Sequence, residues 1–342
     1  MVGVLAGVLT MMTSIAQAQV SSVFNMPAGQ TSLEFVTVGN PGNAADTVVM
    51  NDGTTGYGAV PYTYQIGKYD VTTAQYCQFL NAVATTSDPY GLYNSYMAMD
   101  MPTVAITQSG TAGNYSYSVT GNYGQGVNCP IFDVTWGDAA RFCNWLQNNQ
   151  PTGTEGPGTT ETGAYTLNGA TTNAALMAIT RNAGATDFIP SENEWYKAAY
   201  YNPSNASYWL YPTQSNTAPS NVLSAIGTNN ANYYNGGYTD PTNYLTPVGA
   251  FAASPGPYGT YDMGGDVWQW NEANISGSSR GLRGGGWSNY SGALASSDRN
   301  DDGPAGESYG IGFRVASVPE PGTIVLVCIG AVSLLAYAWR RR

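Results

Sequence analysis

The stretch RGLRGGGWSNYSGALASSDRN, residues 280–300, sets Gly, Ser, Asn, Tyr and Asp close together with no cysteine and no histidine. Residues of these types supply adaptable hydrogen bonds and ring contacts, the chemistry of a binding loop more than of a nucleophile. The chain as a whole has 0 His. That removes Ser-His-Asp and Cys-His mechanisms, histidine-held zinc and iron, and the usual general base near neutral pH. Carboxylates remain, and Asp298, Asp301, Asp302 and Glu307 gather in the last block. Two carboxylates can hydrolyse a glycosidic bond; a row of them can equally ligate calcium or line a solvated loop. The 4 Cys are Cys77, Cys129, Cys143 and Cys328. Cys328 falls in an apolar C-terminal run. The other three admit one disulfide of unassigned pairing, or three small buried hydrophobes.

These residues need elements to hold them. VTTAQYCQFLNAVA, VTWGDAARFCNWL and PSENEWYKAAYY each open on a hydroxyl residue with an acid or amide three positions on: Thr72/Gln75, Thr135/Asp138 and Ser191/Glu194. That spacing predicts capping boxes, with apolar residues at helical intervals after each, so every helix has one face to bury against a sheet. Residues 86–128 and 150–187 are rich in Gly, Thr, Ser, Asn and Tyr and read as surface insertions, with NYSYSVTGNY as hairpin strand. Trp268 and Trp270 alternate as on a strand, one inward and one outward. No boundary splits residues 19–318, and no fixed repeat is present.

Composition narrows the class. Charged residues make up 10% of 342, while 8 Trp and 26 Tyr give ample area to bury, so the expected fold is loop-rich but not disordered. Residues 19–318 carry 8 basic and 21 acidic residues. A surface of that sign repels phosphate backbones and suits calcium better than nucleic acid.

Both ends read as addresses. Residues 1–18 are apolar and finish in Ala16-Gln17-Ala18, a small-x-small cleavage site, which predicts a signal peptide. Pro319-Glu320-Pro321 precedes an apolar stretch at 323–339, long enough to span a bilayer, and then Arg340, Arg341 and Arg342. This order resembles the PEP-CTERM sorting tail of exported bacterial proteins, which an exosortase-type protease is held to process; a plain C-terminal anchor is the other reading. Either way residues 19–318 are exported, to a membrane-anchored state or to release at the cell surface or extracellular matrix.

IGKYDVTTAQYCQFLNA, FDVTWGDAARFCNWL, IPSENEWYKAAYY, YGTYDMGGDVWQWNEA, RGLRGGGW and GIGFRVAS occur in the order found in the formylglycine-generating enzyme, or sulfatase-modifying factor, family. The resemblance implies one α+β domain over 19–318, a loop-rich variant of the C-type lectin fold, followed by a transmembrane helix at 323–339 in the tail. It places the enzymes' two copper-binding cysteines near Asn289 and Ala293 or Leu294, none of which can hold Cu(I). A related ergothioneine-forming branch uses iron-binding histidines, absent here, so neither copper nor iron is expected. It further implies structural calcium at two stretches: Asn232, Tyr233, Asp240 and Thr242, and Asp262, Gly265, Val267 and Gln269. Tight Asx turns are the other account of both. In the lectin-like fold the block Ser288, Asn289, Tyr290, Ser291, Asp298, Arg299, Asn300, Asp301 and Asp302 lines the ligand face. The expectation is therefore a non-catalytic, exported surface or matrix protein that binds a glycan or protein. An enzyme with a different active site on the same scaffold is the alternative.

Overall fold

The computed structural model describes residues 31–120 and 126–318; the signal segment and the sorting tail, with its apolar run, lie outside the described residues. The helices begin where the hydroxyl-to-acid spacing puts them. Thr72 caps α1 (Thr73–Val83): its hydroxyl accepts from the Gln75 N–H at 3.2 Å, and Gln75 Oε1 accepts from the Thr72 N–H at 2.8 Å. Thr135 and Asp138 do the same for α2 (Trp136–Gln147), so the shorter acid still closes the box. A brief α3 (Asn173–Met177) follows, and Ser191 with Glu194 starts α4 (Glu192–Tyr200). Each reciprocal cap satisfies two backbone donors that the first turn would leave free.

The strands, in chain order, are β1 (Phe35–Val38), β2 (Tyr64–Gly67), β3 (Ala105–Thr111), β4 (Asn114–Thr120), β5 (Asp187–Phe188), β6 (Tyr201–Asn202), β7 (Ser207–Tyr208), β8 (Trp268–Ile275), β9 (Ser279–Arg283), β10 (Asn300–Asp302), β11 (Ile311–Gly312) and β12 (Ala316–Ser317). One antiparallel sheet runs β1–β2–β12–β5, so the last described strand is inserted between two early ones. A second runs β10–β9–β8–β11, with β11 parallel to β8. The pairs β3–β4 and β6–β7 stand apart as ribbons. Helix α1 lies on β4, α2 on β5 and α4 on β8, the sheet contacts their apolar stripes require.

One apolar cluster joins Val38 near the first sheet's edge to Ala316 in its middle, and Trp136, Trp145, Trp195 and Trp270 are wholly inside. Each buried aromatic of this size contributes roughly 2–3 kcal/mol relative to exposure. Trp270 is buried and its indole N–H donates to the Val134 carbonyl, whereas Trp268 is half-buried; the two are two residues apart and share one face of β8, and Gln269 and Asn271 are buried as well, so their difference comes from depth along the strand and not from opposite faces. The polar stretches are less superficial than their composition suggests. Leu92, Met97, Ile106, Ala164, Tyr165 and Leu167 are all buried in the main cluster. Single apolar residues without periodicity anchor these segments, and such anchors give no pattern to read. Among the described residues no helix is long and apolar enough to cross a membrane.

Candidate functional site

The few basic residues are spent inside the fold. Arg283, 0% exposed, donates from Nε and Nη2 to Glu192, and Arg299 binds the same carboxylate at 2.8 Å and Asp52 at 2.8 Å. Arg181 bridges Glu194 and Glu272, Arg141 pairs with Glu161, and Arg314 with Asp70. This divides the anticipated ligand face. Arg299 belongs to the ion network, the Asp298 carbonyl accepts from Arg283, and Asn300, Asp301 and Asp302 form the strand β10 against β9. Ser288, Asn289, Tyr290 and Ser291 lie elsewhere, on a turn beside a run of aromatic rings.

That turn is closed by Asn289. Its Oδ1 accepts from the Gly286 N–H at 2.9 Å, and its carbonyl accepts from the Tyr234 N–H at 2.8 Å. Tyr234 then meets Tyr290 at 5.3 Å and Tyr238 at 5.1 Å between ring centroids. Tyr238 continues to Tyr244 and Trp287, which stack on each other at 4.4 Å and 6°. Trp287 reaches Tyr309 at 5.7 Å. Tyr290 is 68% exposed and Tyr309 45% exposed, while Trp287 is buried with its Nε1–H unpartnered.

Tyr309 also borders a cleft of about 340 Å³ lined by Tyr96, Asp100, Asp133, Glu307 and Ser308. Asp133 is 2% exposed, in the left-handed backbone region at φ 54°, and its N–H donates to the Ser308 carbonyl at 3.0 Å. Its Oδ2 has no partner. Burial, with Asp100 and Glu307 as like charges, pushes the Asp133 carboxyl up to about 7. Glu307 is raised mainly by burial and accepts from Asn94 Nδ2. The cleft therefore offers acceptors, a protonatable acid and two exposed ring faces. Of these residues only Glu307 was singled out by the sequence. The tyrosines of YYNGGY were the available signal, set in the same stretch as the predicted metal ligands.

The thiolate positions hold other things. Asn289 closes the turn, Ala293 is half-buried, and Leu294 is fully buried with its carbonyl accepting from Tyr200 Oη at 3.0 Å. Cys77, Cys129 and Cys143 are free and buried, so the small-hydrophobe reading holds for all three. Burial pushes the Cys77 thiol up to about 11 and raises Cys129 and Cys143 as well, which disfavours the nucleophilic thiolate.

The two predicted calcium stretches differ. Asn232 Nδ2 donates to the Tyr244 carbonyl at 2.8 Å and to Asp266 Oδ1 at 2.7 Å, which leaves its buried Oδ1 without a donor. An orphaned acceptor of this kind fits a hard cation. The Tyr233 carbonyl accepts from Asn221 and Thr239, and Asp240 caps the N–H groups of Thr242 and Asn243. In the second stretch Gln269 Oε1 accepts from Trp195 Nε1 at 2.7 Å and from Arg314 Nε at 2.9 Å, while its Nε2 donates to the Asp262 carbonyl. The positive charge against this oxygen is a guanidinium, and the donor set does not suit a metal. Asp262 Oδ2 accepts from the Gly249 N–H at 2.6 Å, and Val267 packs in the second apolar cluster. Gly265, at φ 92°, lies so close to Asn232 that a Cβ would stand 2.2 Å from its carbonyl oxygen. Asp266, which sequence reasoning passed over, joins the two stretches by accepting from Asn232, the Thr246 N–H and the Thr246 hydroxyl. Burial, then the Asp262 charge, raises its carboxyl.

The sulfatase-modifying factor enzyme 1-like domain matches residues 30–318, and the PEP-CTERM protein-sorting motif matches residues 317–342. Hercynine oxygenase of Mycolicibacterium smegmatis is 31% identical over 151 residues, 37% of this chain and 32% of that protein. That of Mycobacterium tuberculosis is 29% identical over 147 residues, 37% of this chain and 32% of that protein. The chain thus spans about a third of the length of these curated relatives. Treponema denticola variable protein 1 superposes with a TM-score of 0.51 at 18% identity, covering 86% of this chain and 98% of that one, a likeness of fold alone.

Proposed function

This chain belongs to the sulfatase-modifying factor enzyme 1-like family, and from that premise we propose that it is an exported, non-catalytic binding protein. The sorting motif marks it as exported and membrane-associated, a substrate of exosortase-type machinery. Anchoring through the tail before processing, and release to the cell surface or matrix after it, are part of the proposal. The carrying observation is the fate of the thiolate positions: Asn289 closes a turn and Leu294 is core. The face beside them is furnished instead with Tyr290, Tyr238, Tyr309 and the carboxylate cleft. Its ligand is a glycan or a protein at the cell surface. Ring faces next to carboxylate acceptors favour the glycan, since rings stack on the apolar faces of sugars and acids accept from their hydroxyls. Calcium, as part of this reading, belongs to Asn232, Tyr233, Asp240 and Thr242, where it would tie down the loop that carries Tyr234 and Tyr238.

Copper titrated into the purified protein, with oxygen uptake followed on a cysteine-containing peptide, tests the reading. No turnover is expected, and any turnover would overturn it. A second reading, an enzyme of this superfamily with a different active site, is favoured by Asp133, whose carboxyl is poised near neutrality beside Glu307. Hydrolysis of an oligosaccharide that Asp133→Asn abolishes would establish that reading instead.

A further inference from the structure

Away from that face lies a buried acid whose two oxygens both lack a hydrogen bond. Glu155 follows α2 and is 8% exposed, yet neither Oε1 nor Oε2 receives a hydrogen bond. The Asp88 carboxyl stands against it and the Tyr90 N–H faces it, neither in hydrogen-bonding geometry. The two loops are fixed relative to each other. The Gly153 N–H donates to the Ala82 carbonyl at 2.9 Å, which holds the Glu155 loop on the end of α1, and from there the chain runs into the Asp88 loop. Asp88 is itself oriented by the N–H groups of Leu92 at 2.7 Å and Tyr93 at 2.8 Å, one on each oxygen. Each Asp88 oxygen keeps a free lone pair.

The nearest guanidinium is already committed. Arg141 donates to Glu161 at 2.7 Å and to the Ala170 carbonyl at 2.9 Å, with Tyr90 stacked 4.5 Å below it. Two adjoining acids without a counter-charge are reconciled by a shared proton or by a cation. A shared proton would satisfy one Glu155 oxygen and leave the other, buried and bare, at a cost of about 1–3 kcal/mol. A cation engages both Glu155 oxygens and the free lone pairs of Asp88 together.

We propose that Asp88 and Glu155 hold a hard divalent cation, calcium by preference, that clamps the loop after α1 to the loop after α2. The donors are all oxygen, which excludes thiophilic and imidazole-seeking ions. Glu155 can bind in a bidentate fashion, and the half-exposed side of Asp88 admits water to complete an irregular shell, which calcium tolerates and magnesium, held to a regular octahedron, does not. The site shares no residue with the stretches around Asp240 and Asp262 or with the tyrosine face, so it stands or falls independently of the proposed function.

The test compares the full chain with Glu155→Gln and Asp88→Asn, stripped with chelator and then titrated with calcium, followed by thermal melting and by tyrosine-sensitised terbium luminescence. The wild type should gain thermal midpoint with calcium. Each variant should lose a defined part of that gain and should show one fewer terbium site, or a site weakened about tenfold or more. Any calcium effect from another stretch persists in both proteins and cancels in the comparison. An unchanged calcium response and terbium stoichiometry in Glu155→Gln would overturn the proposal. If Glu155→Gln does not fold, Asp88→Asn, on the exposed side of the pair, gives the same reading.

Discussion

Two neighbouring regions, both fed by residues 280–309, use similar atoms to opposite ends. Under β9, all the guanidinium nitrogens of Arg283 find acceptors: Nε and Nη2 in Glu192, Nη1 in the carbonyls of Ser296 and Asp298. Beside it, the tyrosine face leaves Trp287 Nε1 and Asp133 Oδ2 unmatched and turns Tyr290 and Tyr309 toward solvent. A buried unmatched polar group costs about 1–3 kcal/mol unless a water, an ion or a ligand meets it. The contrast teaches where to look in a chain with 11 basic residues and no histidine. The arginines of the block, Arg283 and Arg299, build the scaffold, while its Tyr290 stays exposed beside Tyr309.

The contrast can be broken from the saturated side first. Glu192→Ala strands Arg283 and Arg299 in the interior and should cost about 3–5 kcal/mol in chemical denaturation. A loss under about 1 kcal/mol would mean that the network is not structural. Next comes Asp133, the unmatched acid. Its carboxyl is raised to about 7 by burial and by Asp100 and Glu307, so the folded state holds the proton more tightly than the unfolded chain does. The stability this contributes is complete below the ordinary carboxylate value near 4 and is lost as pH rises through about 7. Asp133→Asn should flatten that decline and be the more stable protein at pH 8, on the order of 2 kcal/mol after solvent access is discounted. Parallel pH–stability curves for the two proteins would contradict this. Thr135→Ala, which opens one capping box, should cost about 1 kcal/mol. The smallest effect is expected on the face itself: Tyr290→Ala or Tyr309→Ala should shift stability by no more than about 0.5 kcal/mol. A larger shift would make those rings core rather than ligand surface.

The parts legible in the sequence were those set by neighbours along the chain. Thr72/Gln75, Thr135/Asp138 and Ser191/Glu194 carry their own instructions, because a capping box needs only residues three apart. Partnerships across the fold carry none. Gln269 matched a ligand pattern within its own stretch, yet its oxygen is taken by Trp195 and by Arg314, which arrives from a distant block. Asp298 and Arg299 looked like parts of a polar loop until Glu192 and Asp52 came to meet Arg299. The face itself is assembled from Tyr234 and Tyr238, from Trp287 and Tyr290, and from Tyr309, and no local period joins those segments. Glu155 was hidden for a similar reason, since only the folded chain brings Asp88 to it.

The measurement closest to the central claim is glycan-array binding of the wild type against a Tyr290→Ala/Tyr309→Ala double variant, at matched folding and in calcium. Aromatic rings that stack on a nucleobase contribute about 1–3 kcal/mol each, and with a similar scale for a sugar face the wild type should bind a defined set of glycans and the variant should lose at least about tenfold in affinity. Equal binding by the two proteins, or conversion of a bound glycan into product, would contradict the account.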